Sequence, residues 1–403
     1  MCSGVHRRRT TLNIKRLRLL AQPRFFNTLK KTVALINQQF ILLLLGFSFL
    51  KKLTLPEAPT MDIQTTHFDT YQHQPIDQIK LTNDNGISTT FLTLGATWQQ
   101  FLVPTPTGSK NLLLNFPHSA DYLNNPFYVC MAIGRIGGRL KNGQFPLANQ
   151  SVTVPKNEGQ NTLHGGPHGF HQFIWEYTTE TRADSVSVYF NRLIQSSDDG
   201  FPGDLTATIG YTLDNHNQVT ISFTGNSSQT TVFNPTSHAY FNLSDTHQIL
   251  NHSLTLNSQH YLAVDTEKIP TGQLNAVKNT PFDFTDGPCL QAAIDALQTT
   301  PEKGLDDIFK VHPDQNNVIA VLTDQASQRQ ITIKSNRNGL VVFTGNSFTA
   351  DLPFENGAGR PYQGIALEPQ TLPDTPNHPD FGDITLPANQ PKTYQIQYCY
   401  QQL

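Results

Sequence analysis

The chain has 403 residues and a formal net charge of −3, and only 15% of its residues are charged. Neutral polar side chains supply most of its polarity, and no basic stripe follows the N-terminus, so the composition argues against a nucleic-acid partner and suits a neutral, hydroxyl-rich ligand such as a sugar. Cys2, Cys130, Cys289 and Cys399 are scattered, with no C-x-x-C pair to suggest a metal or redox site; a reducing compartment, the cytoplasm, is the expectation.

The first sixty residues stand apart, with eleven Lys/Arg against a single acid, Glu57. Within them residues 40–50, FILLLLGFSFL, form an apolar run followed by Lys51-Lys52. That run matches the core of a signal peptide and falls short of the roughly 20 residues of a spanning helix. A signal anchor is the lesser alternative. Met61 opens a stretch, MDIQTTHFDTYQ, that reads as an ordinary soluble start. The expected organisation is a leader or over-extended start over 1–60 and one folded domain over 61–403, the latter with no membrane role.

From there short strands alternate with turns. NDNG, ending at Gly86, is a hairpin signal between residues 79–81 and the long run 87–103, which reads as a strand. In 160–176, QNTLHGGPHGFHQFIWE, the histidines His164, His168 and His171 cluster. His164 and His168 have metal-ligand spacing, but Gly165-Gly166-Pro167 cannot form the helix that would align them, so no metal site is expected. The glycines read as letting backbone approach a ligand, with His164 at a pocket rim; a loop histidine bonded to backbone is the equal alternative. Residues 185–190, 205–213 and 219–223 are further strands.

FNPTSHAYFNLS, residues 233–244, sets His238 beside Tyr240 and Phe241. Aromatic rings next to a polar group suit the C–H face of a pyranose, although a satisfied core histidine fits equally well. The helix signal falls over 289–297, and RNGLVVFTGN suggests a second Asn-Gly hairpin turn at Asn338-Gly339. Finally, the apolar run Ile365-Ala366-Leu367 delivers Glu368 to a proline-studded segment. Pro369 biases it toward extended geometry, so a rigid carboxylate at a strand end, suited to act as a general base, competes with an ordinary surface glutamate. No Gly-rich phosphate loop follows a strand. The class is all-β, a large antiparallel sandwich of two main sheets.

Taken in order, GRIGGRLKNGQF, NTLHGG, TSHAYFNL, IPTGQL with TPFDF, GLDDIF, FTGN and LEPQTLPDTPNHP resemble the aldose 1-epimerases, or galactose mutarotases, over about residues 62–403. The resemblance implies a β-sandwich of the galactose mutarotase type that interconverts sugar anomers with no metal and no organic cofactor. It implies Glu368 as general base, His238 as general acid, and Arg139, His164 and Asp306 as sugar-binding residues. Spacing alone does not separate Arg139 from Arg135, or Asp306 from Asp307. Tyr240 is expected in a pocket wall. The partner implied is a free monosaccharide, galactose or glucose; a maltose 1-epimerase and a non-catalytic sugar-binding protein are the alternatives, as monomer or homodimer. To start ring opening one of the pair must be carboxylate and the other imidazolium, and proximity to a shared substrate is expected to favour both charged states. Gly138 and Val341 stand where the family often has Asn and Gln, which bears on substrate range.

Overall fold

The computed structural model describes residues 61–403, which belong to one compact unit. The basic leader, its apolar run and Cys2 lie outside the described residues. Among the described residues no helix is long and apolar enough to cross a membrane.

Residues 62–111 fold into a five-stranded antiparallel meander, Asp62–Tyr71, Gln74–Thr82, Ser88–Leu92, Thr97–Thr105 and Gly108–Asn111 in chain order. The NDNG turn forms as expected: Asn83 Oδ1 accepts the backbone N–H groups of Asn85 and Ile87, each at 3.0 Å, and Gly86 takes φ 75°. The run 87–103 is two strands rather than one. Gly95 and Ala96 adopt φ 63° and 44°, and the chain folds back so that Leu92 faces Thr97. Because hairpins return each strand of this stretch onto its predecessor, it makes a third main sheet beside the two anticipated.

The largest sheet has eight strands in the order Glu176–Thr181, Ser185–Ile194, Leu205–Asp214, Gln218–Ser227, Lys392–Gln402, Arg329–Lys334, Val318–Asp324 and Ser253–Leu256. Its sequences alternate as a half-buried sheet requires. Val219, Ile221 and Phe223 are buried, and so are their register partners Tyr398, Ile396 and Tyr394.

A six-stranded sheet, ordered Tyr240–Phe241, Ile365–Gln370, Gly339–Phe343, Asp306–Val311, Ser258–Val264 and Pro270–Ala276, carries much of the site. Ile365–Gln370 is buried at every residue, as expected of a strand covered on both faces. Glu368 therefore sits inside this strand, paired with Val341, not at its end. Pro369 continues the ladder opposite Leu340, and its carbonyl accepts the Thr236 hydroxyl at 2.8 Å. Asn338-Gly339 is likewise not a hairpin turn. It carries the chain from Arg329–Lys334 in one sheet to Gly339–Phe343 in another, and neither residue takes the positive φ of a type I′ turn.

Three rings bind the sheets together. Trp98 of the meander, Phe241 of the six-stranded sheet and Tyr398 of the eight-stranded sheet lie with centroids 5.2–5.8 Å apart. Such tilted and edge-on contacts add about 0.5–1.5 kcal/mol per pair beyond burial. The predicted helix spans Leu290–Ala296, with Cys289 and Leu297 as its caps.

Candidate active site

Strand alternation places the residues that line the cavity at Glu368. Ile308, Val341 and Glu368 are direct cross-strand partners in one row of the six-stranded sheet; Asp306, Phe343, Ala366 and Tyr240 form the next row on the same face. Because side chains alternate with period two, Asp306 faces this cavity and Asp307 does not. That resolves the choice the motif left open. The cavity, about 210 Å³, is closed on its other sides by Arg139, His164, His238 and Tyr128.

His238 follows the two-residue strand Thr236–Ser237, which pairs with Ala132–Ile133. Its Nε2 lies 3.4 Å from Glu368 Oε1, while His238 Nδ1 and Glu368 Oε2 have no hydrogen-bond partner. Both residues are buried, at 5% and 2% exposure. The separation alone would admit an ion pair, but burial decides otherwise. Desolvation holds the imidazole down at about 3 and pushes the Glu368 carboxyl well above the usual range, helped by the charge of Asp306. Burial by itself thus opposes the charged form of each group. The charged pair expected around a bound sugar must therefore be gained against the lost hydration of both groups.

Tyr240 is fully buried and lies under His238, ring centroids 5.0 Å apart, with its hydroxyl donated to the Phe127 carbonyl at 3.1 Å. It is a wall whose polar end is already occupied.

His164 lies after the strand Thr162–Leu163, which pairs with Arg139–Leu140. Its Nδ1 accepts the Gly138 N–H at 3.2 Å, which leaves the neutral ring's proton on Nε2. Burial, then the neighbouring charges of His238 and Arg139, depress its pKa well below the usual value, so it is a neutral donor. The glycines after it serve a different purpose from the one expected. Gly165 has φ 84°, and a Cβ there would lie 1.9 Å from the Gly134 carbonyl oxygen, so the close approach is to backbone, not to ligand. His168 is exposed, and His171 packs behind Tyr128 with ring centroids 4.8 Å apart. Burial lowers His171 to about 4.

The two arginines of the G-R-x-x-x-R element part ways. Arg135 is fully buried in a bidentate pair with Asp199, at 2.6 and 3.1 Å, and also donates to the carbonyls of Pro202 and Gly203. Arg139 lines the cavity and donates two N–H bonds to Glu158, at 2.7 and 2.8 Å. Gly138, at φ 69°, is matched to Pro373: a Cβ there would lie 2.8 Å from the proline ring. With Val341 opposite Glu368, this part of the cavity wall is apolar.

Four neighbours escaped the motif reading. Tyr128 stacks edge-on against His164 at 4.8 Å, and burial raises its phenol to about 12. Glu158 anchors Arg139. Lys268 bridges Glu302 at 2.7 Å and stands 3.8 Å from Asp306. Arg337, 4% exposed, donates to the backbone carbonyls of Pro235 and Pro369, tying the approach to His238 to the strand of Glu368. Burial lowers its guanidinium to about 10. None of these has a short-range sequence signature.

One atom each of His164, His238 and Glu368 lie within 4.8 Å of one another. Two imidazoles and a carboxylate form a donor set that a zinc ion accepts. The same grouping also serves proton transfer.

The family model described as aldose 1-epimerase matches residues 77–399. A Levilactobacillus brevis protein named maltose epimerase is 39% identical over 343 residues, covering 84% of this chain and 99% of its own. An aldose 1-epimerase of Streptococcus thermophilus is 41% identical over 81% of this chain and 94% of its own. Among solved structures, galactose 1-epimerase from Lactobacillus acidophilus superposes with a TM-score of 0.75 at 27% identity, over 85% of this chain and 99% of that one. The chain belongs to the aldose 1-epimerase family. It is an isomerase with the all-β fold of the galactose mutarotases.

Proposed function

We propose that this protein interconverts the α and β anomers of free aldohexoses such as D-galactose and D-glucose, with Glu368 and His238 exchanging the protons. The observation that carries the reading is this pair at 3.4 Å, facing a cavity, with one orphaned polar atom on each side chain. The anomeric hydroxyl and the ring oxygen of a hemiacetal share one carbon, so a proton acceptor and a proton donor side by side can serve both. Glu368 takes the hydroxyl proton while His238 protonates the ring oxygen, and the ring opens to the aldehyde. Rotation about C1–C2 and closure on the other face return both protons.

The pair holds one proton throughout. Neutral imidazole with protonated carboxyl, the forms that burial favours, is the state in which the bound sugar stands open. His164, through its Nε2 proton, Arg139 and Asp306 hold the ring hydroxyls without exchanging protons. Cys130, Cys289 and Cys399, present as free thiols, support a cytoplasmic setting.

Reducing disaccharides are the second reading, favoured by the 39% identity to the relative named maltose epimerase. Polarimetry of freshly dissolved α-D-galactose tests the first: the protein accelerates the approach to the equilibrium rotation. No acceleration with galactose, glucose or maltose would leave a sugar-binding protein without catalysis.

A further inference from the structure

Lys268 lines the reaction cavity from a turn just before the IPTGQL segment. The turn joins the strands Ser258–Val264 and Pro270–Ala276 and is closed by Asp265. Asp265 Oδ1 accepts the N–H groups of Glu267 and Ile269 at 2.9 and 3.0 Å, and its carbonyl accepts that of Lys268 at 3.0 Å. Lys268 takes φ 63°, a left-handed conformation that such a residue holds only where its surroundings impose it.

Its ammonium stands between two carboxylates that also line the cavity. Glu302 Oε1, from the loop before the strand Asp306–Val311, is 2.7 Å from Nζ, and Asp306 Oδ2 is 3.8 Å away. The first contact fixes the head group; the second is too long for a hydrogen bond. Both side chains keep part of their surface open, 22% for Lys268 and 25% for Asp306. An ammonium only donates and an ionised carboxylate only accepts, so a hydroxyl placed between them can accept from Nζ and donate to Oδ2. Lys268 also helps to keep that acceptor ionised. Burial raises the Asp306 carboxyl, and the Lys268 ammonium, then Arg139, oppose the rise.

Asp306 lies two strands across the sheet from Glu368 and one row along, a backbone separation of at least about 10 Å. With the anomeric carbon at Glu368 and His238, the group that reaches Asp306 is a hydroxyl on the far side of the ring. We infer that Lys268 is a further substrate-binding residue, which together with Asp306 brackets one sugar hydroxyl remote from the anomeric carbon. The inference rests on the epimerase reading above.

The test compares kcat and KM for anomer exchange of glucose and of 2-, 3-, 4- and 6-deoxyglucose in the wild type, K268M and D306N. K268M is expected to lose about tenfold or more in kcat/KM on glucose, the share of a hydrogen bond to a charged group, mostly through KM. The loss should be the same on 2-deoxyglucose and should vanish on one of the 3-, 4- and 6-deoxy sugars, where wild-type turnover by K268M also reports correct folding. D306N should lose least on that same sugar. Undiminished activity of K268M on glucose overturns the inference, as does an equal loss on every deoxy sugar or a different silent sugar for D306N. A wild type inactive on glucose and galactose alike overturns the epimerase reading itself and the inference with it.

Discussion

Two acid–base pairs are buried to nearly the same degree in this protein, and they are finished differently. Arg135 and Asp199 meet at 2.6 Å, and backbone groups take up further capacity on both: two carbonyls accept from the arginine, and Phe201 N–H donates to the carboxylate. His238 and Glu368 meet at 3.4 Å with an unpartnered atom on each. A satisfied buried pair is framework, because removing either partner strands a charge; an unsatisfied pair beside a cavity keeps its capacity for a ligand. Equal burial, then, does not mean equal role.

That contrast can be broken or sharpened by substitution. The largest effect belongs to the open pair: H238N should lower turnover about a hundred- to ten-thousand-fold, the usual share of one acid–base group, while leaving the melting temperature close to wild type. Polarimetry with a thermal melt checks both halves. At the closed pair the outcome reverses. R135M should cost about 3–5 kcal/mol of stability in a denaturant titration, because Asp199 is left buried and uncompensated, while the rate per folded molecule holds.

A smaller effect follows from protonation. The Glu368 carboxyl is raised in the folded state, so the fold keeps a proton that the unfolded chain releases above about 4.5, and stability falls as pH rises from there. E368Q removes that slope. Its melting temperature relative to wild type should climb between pH 5 and 8 and show no gain near pH 4; a difference independent of pH would contradict the protonated carboxyl. His238, lowered to about 3, works in the other direction: the fold resists a proton that the unfolded chain accepts below about 6.5, which costs stability as pH falls toward 3. The smallest expected effect is that of EDTA, which should leave anomer exchange unchanged. Activity lost to the chelator and restored by zinc would turn the His164, His238 and Glu368 grouping into a metal centre.

Much of this arrangement was legible in the chain. Alternating strands at 205–213 and 219–223 have one buried face, so their pattern survives in the sequence, and the ordered motifs point to positions that do meet around one cavity. That Asp306 and Asp307 face opposite ways was legible from strand period two, but which of them meets the cavity needed the packing of the sheet. Turns were harder. Gly95-Ala96 hid inside an apolar run, and Asn338-Gly339 offered a turn dipeptide where the chain only changes sheets. Least legible were Tyr128, Glu158, Lys268 and Arg337, whose places depend on contacts between segments far apart in sequence. The desolvation acting on the central pair was not legible either, because charge pairing can be inferred from residue types and burial cannot.

The most direct test of the open pair is polarimetry of α-D-galactose with E368Q beside the wild type, at protein concentrations where calorimetry shows both bound to sugar. The account predicts that E368Q binds galactose with little change and accelerates mutarotation at least about a hundredfold less than wild type. Near-wild-type acceleration by E368Q would contradict it.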